Sequence, residues 1–127
     1  MTTYQNFWTL LEDFQRTGDK SAIKASHEQF KNDFYAIAQT MDPVMFGPLV
    51  DPEECGESIF NNDEFGIGGD DGHIDLCHTI IWHGAQAVSD FMRDPTTAIP
   101  IARKSRLDTT YKGYDLMMSL IDEDDDE

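Results

Sequence analysis

Gly66-Ile67-Gly68-Gly69-Asp70-Asp71-Gly72 runs straight into His73-Ile74-Asp75-Leu76-Cys77-His78-Thr79-Ile80-Ile81-Trp82-His83-Gly84, and the reading of this stretch decides the fold. A glycine-rich, doubly acidic turn feeds the most apolar helical pattern of the chain. Asp70 and Asp71 suit an N-cap and first turn, because carboxylates accept from the orphan N–H groups and oppose the helix dipole. The glycines before them allow positive φ. At about 100° per residue, Leu76, Cys77, Ile80, Ile81, Gly84, Ala87, Val88 and Phe91 fall on one broad arc, which predicts a single, well-buried central helix. Gly84 sits within that arc, where a missing side chain would let helices approach closely.

A second stripe flanks the first. Asp71, Asp75, His78 and Trp82 follow i, i+4, i+7 and i+11. Two carboxylates and an imidazole on one flank can ligate a metal, so Asp71, Asp75 and His78 are the candidate metal ligands, with Glu64 or Asp70 as a base. The plainer reading, which is favoured, has Asp71 capping the helix, Asp75 and His78 paired locally, and Trp82 at the margin of the core.

Working outward, Phe7, Leu10, Leu11 and Phe14 mark a first helix capped by Thr2 or Thr3 and stopped by Gly18. Trp8 lies beside that stripe, either partly exposed or as a packing anchor. Asp19 or Ser21 starts a second helix of about five turns, whose stripe is Ile23, His27, Phe30, Phe34, Ile37 and Met41. From Asp42 to Gly56 three X-Pro steps predict a long proline-rich loop held by Met45, Phe46, Leu49 and Val50, with a short helix from Pro52 to about Asn61 as an option. Downstream, Asp94-Pro95-Thr96-Thr97 stops the central helix and can cap a new one. Ala98 to Ala102 reads as an extended segment or a single helical turn. Asp108 caps a last helix with Tyr111, Tyr114, Met118 and Ile121 as its stripe, leaving Leu116 and Leu120 on the far side.

The 127 residues make one domain, with 39% apolar content and a formal charge of −16. The last six residues, Asp122 to Glu127, are all acidic; they form an acidic, disordered tail beyond a helical domain of residues 1–121, whose own charge is then −10. Such a field opposes nucleic acid and anionic lipid and favours a basic partner. No apolar run of about 18 residues is present, so no membrane span is expected. Met1 to Asn6 lacks the basic and apolar regions of a signal peptide, and Cys55 and Cys77 are too few for a disulfide framework; both point to the cytoplasm.

The order of these signals resembles a bacterial family known as domain of unknown function 4240. Members tend to open with Phe-Trp leading an amphipathic helix, matched by Phe7-Trp8-Thr9-Leu10-Leu11-Glu12. They also carry a glycine–Asp-Asp-Gly turn into a hydrophobic helix, matched by Gly68 to Gly72, Ile80-Ile81, Gly84 and Asp94-Pro95. The family's aromatic, arginine and tryptophan positions after the turn hold His73, Leu76, Cys77 and Thr79 here, with Trp82 displaced. The resemblance implies a mostly helical fold and brings no activity with it.

The expected fold is all-α or predominantly α, four to five helices in one domain. Three function classes stand against one another. A binding module of the bacterial immunity or inhibitor type would neutralise a basic protein such as a nuclease toxin, using Asp70, Asp71, Asp75, Trp8, Trp82 and Tyr114 at the contact. A metal-dependent hydrolase would use Asp71, Asp75 and His78. A structural or regulatory protein would self-associate as a homodimer with no small-molecule site. No HExxH, P-loop, CxxC or Gly-x-Ser-x-Gly motif is present, so an enzyme is disfavoured and no cofactor is expected.

Overall fold

A computed structural model describes residues 4–47, 58–60, 70–107 and 120, with the backbone alone for residues 70, 71 and 104–107. Every regular element among them is helical: α1 (Gln5–Thr17), α2 (Ser21–Ala25), α3 (His27–Phe46), α4 (Asp70–Trp82), α5 (Ala85–Arg93), a 3₁₀ turn (Pro95–Ala98) and α6 (Ile99–Leu107). The all-α expectation holds.

Local chemistry sets most of the ends. Gly18 closes α1 in the left-handed region, its N–H donating to the Phe14 carbonyl. Asp19 Oδ1 then accepts from the Ser21 N–H at 2.9 Å, so the acid ahead of α2 starts it. The predicted five-turn second helix is interrupted: at Ser26 (φ −120°) one turn of α2 gives way to α3. Periodicity alone does not register this break, because Ile23, Phe30, Phe34, Ile37 and Met41 keep step across it and all are buried.

The predicted loop from Asp42 begins too early. α3 continues through Pro43 to Phe46. An interior proline costs about 3 kcal/mol, but Pro43 lies in the last turn, where only one backbone bond is forfeited. The extra turn buries Met45 and brings Phe46 onto the core margin, and a buried apolar side chain returns about 1.5–3 kcal/mol. Of the optional helix from Pro52, only residues 58–60 are described, and these form a turn.

The predicted central helix is two helices. α4 ends at Trp82 and α5 starts at Ala85, with Gly84 between them at φ 114°, ψ 176°. That conformation is essentially confined to glycine, and a Cβ built there would meet nothing within 4 Å. Gly84 therefore serves backbone geometry rather than the close helix approach its place in the arc suggested. The rest of the arc stands: Leu76, Cys77, Ile80, Ile81, Val88 and Phe91 are all buried.

After α5, Asp94 behaves as the sequence suggests. Its Oδ1 accepts from the Thr96 N–H and hydroxyl at 3.1 and 2.8 Å, with Pro95 in the first position of the 3₁₀ turn. These bonds hold its carboxyl below the usual range. Residues 99–107 form a helix, which the sequence left as one turn or an extended strand; Pro100 is tolerated because the first helical turn needs no N–H there. Leu120, assigned to the outer side of the last helix, is helical and buried, and so belongs to the core. The other positions of that helix, and the caps Thr2 and Thr3, lie outside the described residues. No helix among the described residues is long and apolar enough to cross a membrane.

Gly84→Ala is expected to destabilise the fold by about 1–3 kcal/mol through backbone strain alone. Urea titration checks it, and a loss of a few tenths would show that the α4–α5 junction relaxes freely.

Candidate functional site

The seam of α1, α3 and α4 gathers the notable side chains. Phe7 stacks on Phe30 with ring centroids 4.6 Å apart and meets Trp8 edge-on at 4.9 Å. Phe34 meets the imidazole of His78 edge-on at 4.9 Å. Below them, Gln15 Nε2 donates to the Trp82 carbonyl at 2.6 Å, satisfying one of the orphan acceptors at the end of α4. Phe14 lies against the Trp82 ring at 6.2 Å.

The flank of candidate ligands resolves along its length. Asp70 and Asp71 occupy the opening turn of α4, and their side chains lie outside the described residues, as do Glu64 and Tyr114. Asp75 is half-buried, and its backbone carbonyl accepts from the Thr79 hydroxyl at 3.0 Å. His78 is 8% exposed, and burial pushes its imidazole down to about 4, so it is neutral at physiological pH. Its edge-on seat against Phe34 makes it a member of the core. Trp82 is half-buried. Trp8 is 6% exposed and packs inside, where it serves the free fold as an anchor. No three of His, Cys, Asp and Glu converge as metal ligands among the described residues.

Cys77, beside His78, is a buried thiol, pushed up to about 12 by desolvation and secondarily by the charge of Asp42. At neutral pH it is protonated and a poor nucleophile.

One polar constellation escaped the sequence reading. His73 is fully buried, between the rings of Phe46 and Phe60 at 5.9 and 6.1 Å. Its Nε2 lies 2.6 Å from Ser58 Oγ, which also accepts from the Phe60 N–H at 3.0 Å. The signal was present: His73 precedes Leu76 and Cys77 by three and four residues, and so extends the buried face of α4 by a turn. A serine hydrogen-bonded to an imidazole has the contact of an activated nucleophile. Here the hydroxyl is also fixed by a backbone donor and the imidazole has no exposed surface, so the pair acts as a clamp fastening residues 58–60 to α4.

Two measurements follow from these histidines. Ser58→Ala removes a partner from a fully buried imidazole and is expected to cost about 1–3 kcal/mol in denaturant titration, whereas an exposed hydroxyl would cost almost nothing. For His78, the unfolded chain takes up a proton near 6.5 while the folded chain resists until about 4. The unfolded state then binds more protons in that window, so stability falls as pH drops from 6.5 towards 4, by about 3 kcal/mol. The difference between wild-type and His78→Leu stability curves isolates this slope; parallel curves would show that the imidazole is hydrated. No family model matches the chain, and no match to it is found among curated proteins or solved structures.

Proposed function

We propose that this protein is an acidic binding module that engages a basic protein partner, in the manner of an immunity protein or inhibitor that neutralises a nuclease. The observation supporting this is how the charge is distributed. From Asn32 to Met92 the chain carries twelve Asp and Glu and no Lys or Arg. Residues 1–31 balance four acids against four bases.

The fold sharpens that asymmetry. Phe46, in the last turn of α3, and His73, in the first turns of α4, stand 5.9 Å apart ring to ring. The end of α3 and the start of α4 therefore lie together, and the sequence between them carries Asp51, Glu53, Glu54, Glu57, Asp63 and Glu64. Asp70 and Asp71 add to the same end through their place in the opening turn of α4. With His78 neutral, its imidazole does not offset this charge.

Clustered carboxylates raise the encounter rate with a cationic partner and reject polyanions. A nuclease presents a cationic groove suited to phosphates, and an acidic helical body is complementary to it. The metal-centred reading of Asp71, Asp75 and His78, by contrast, has His78 seated in the core.

The test is affinity capture from lysate of the source organism at low and moderate salt, run in parallel with a variant whose six acids at 51, 53, 54, 57, 63 and 64 are changed to the amides. A basic protein retained at moderate salt by the wild type and released from the amide variant is the expected result. Capture indifferent to the six changes, or recovery only of further copies of this chain, overturns the reading.

A further inference from the structure

A cavity of about 200 Å³ opens between α1 and the start of α3, next to the break at Ser26 that separates α2 from α3. Leu10, backed by the buried Phe7 and Phe30, gives its apolar wall, and Asn6, exposed Thr9, Ser26, Gln29 and Asp33 make up its polar lining. Asp33 is 9% exposed. Its Oδ1 accepts from Gln29 Nε2 at 2.7 Å, and among the described residues that amide is the one donor reaching it, with no Lys or Arg in an ion pair.

Among the described residues this carboxylate has one neutral protein donor and no cation. It offers about four lone-pair positions, and burial without a cation or several donors is costly. The cavity beside it offers Leu10 as apolar surface and a polar lining around the carboxylate, so it suits a short alkyl stem that carries a charged head. An apolar stem ending in a positive charge matches both features, and a lysine side chain is such a group.

We infer that this cavity receives a lysine side chain of the basic protein partner, its methylenes against Leu10 and its ammonium on Asp33. This rests on the binding-module reading and assigns it a specific contact at α1 and α3, apart from the acidic connection between α3 and α4. Charge clustered at 51–71 would steer the encounter, while a side chain seated at Asp33 would fix the register and slow dissociation.

The experiment uses the full chain, isotopically labelled for amide NMR, titrated with a trilysine peptide and separately with n-butylammonium. Shifts at Phe7, Leu10, Gln29 and Asp33 with the peptide are expected. Asp33→Asn keeps an acceptor for Gln29 and should weaken that binding by about tenfold or more, whereas Asp13→Asn, at an exposed residue already paired with Arg16, should leave it unchanged. Thr9→Arg, which keeps the carboxylate and plants a tethered cation at the edge, should block the peptide and serves where Asp33→Asn does not fold. Peptide shifts confined to residues 51–75 and indifferent to Asp33→Asn overturn the cavity assignment and leave the acidic binding module standing. Shifts with n-butylammonium but not with the peptide show a site for a free amine and overturn the partner's lysine. Silence with both overturns the cavity as a cation site.

Discussion

The contact of Phe34 with the ring of His78 joins α3 to α4, and through Phe30 and Phe7 the same row of rings reaches α1. Three helices are thus held by one continuous set of aromatic faces and edges. Each buried ring contributes about 1.5–3 kcal/mol through desolvation, with about 0.5–1.5 kcal/mol more for a well-oriented pair. An imidazole belongs in such a row only while it is neutral, because the charged form would have to lose its water among hydrocarbon. The depressed titration of His78 is therefore a consequence of the packing, and α4 could not sit against α3 as it does with the proton on.

The same logic separates the three polar groups buried in this seam. His78 contributes shape. His73 contributes a hydrogen bond, because Ser58 meets its Nε2 where the chain returns towards α4. Thr79 turns its hydroxyl back to the Asp75 carbonyl and asks nothing of its neighbours. Along one helix, then, polarity is either neutralised, clamped or folded back on the backbone. Among the described side chains of α4, no charge is fully buried.

Much of this was legible in advance. The buried positions of α1, α3 and α4 follow from apolar recurrence, and the Asp94-Pro95 stop follows from turn chemistry. Three features were not legible, each for a physical reason. The break at Ser26 leaves the stripe in phase on both sides, so no pattern marks it. At Pro43 a local penalty is outweighed by burial of Met45, which only tertiary structure can supply. Gly84 fits the period of the arc by residue count, but its φ of 114° ends one helix and begins another. Of the candidate site, the sequence placed Trp82 at the margin of the core, where it lies, but set His78 on a flank where the structure has a core member. It missed His73, whose spacing to Leu76 and Cys77 puts it on the buried face, because its partner Ser58 is distant in sequence.

Asp33 is where local consistency fails most plainly. It adjoins Phe30, Phe34 and Ile37 on the buried side of α3, a position where a leucine would deepen the core without needing any partner. A carboxylate there lowers stability unless something answers it, and one amide from Gln29 is a weak answer for a full charge. Elsewhere the helices obey their own rules: the acids at 13 and 90 meet arginines on the surface, and those at 19 and 94 serve turns. Departures from such consistency concentrate where a protein has a use for them. Ser26, where α2 gives way to α3, lines the same cavity as this carboxylate, so the helix break and the buried charge fall at one place rather than being scattered through the fold.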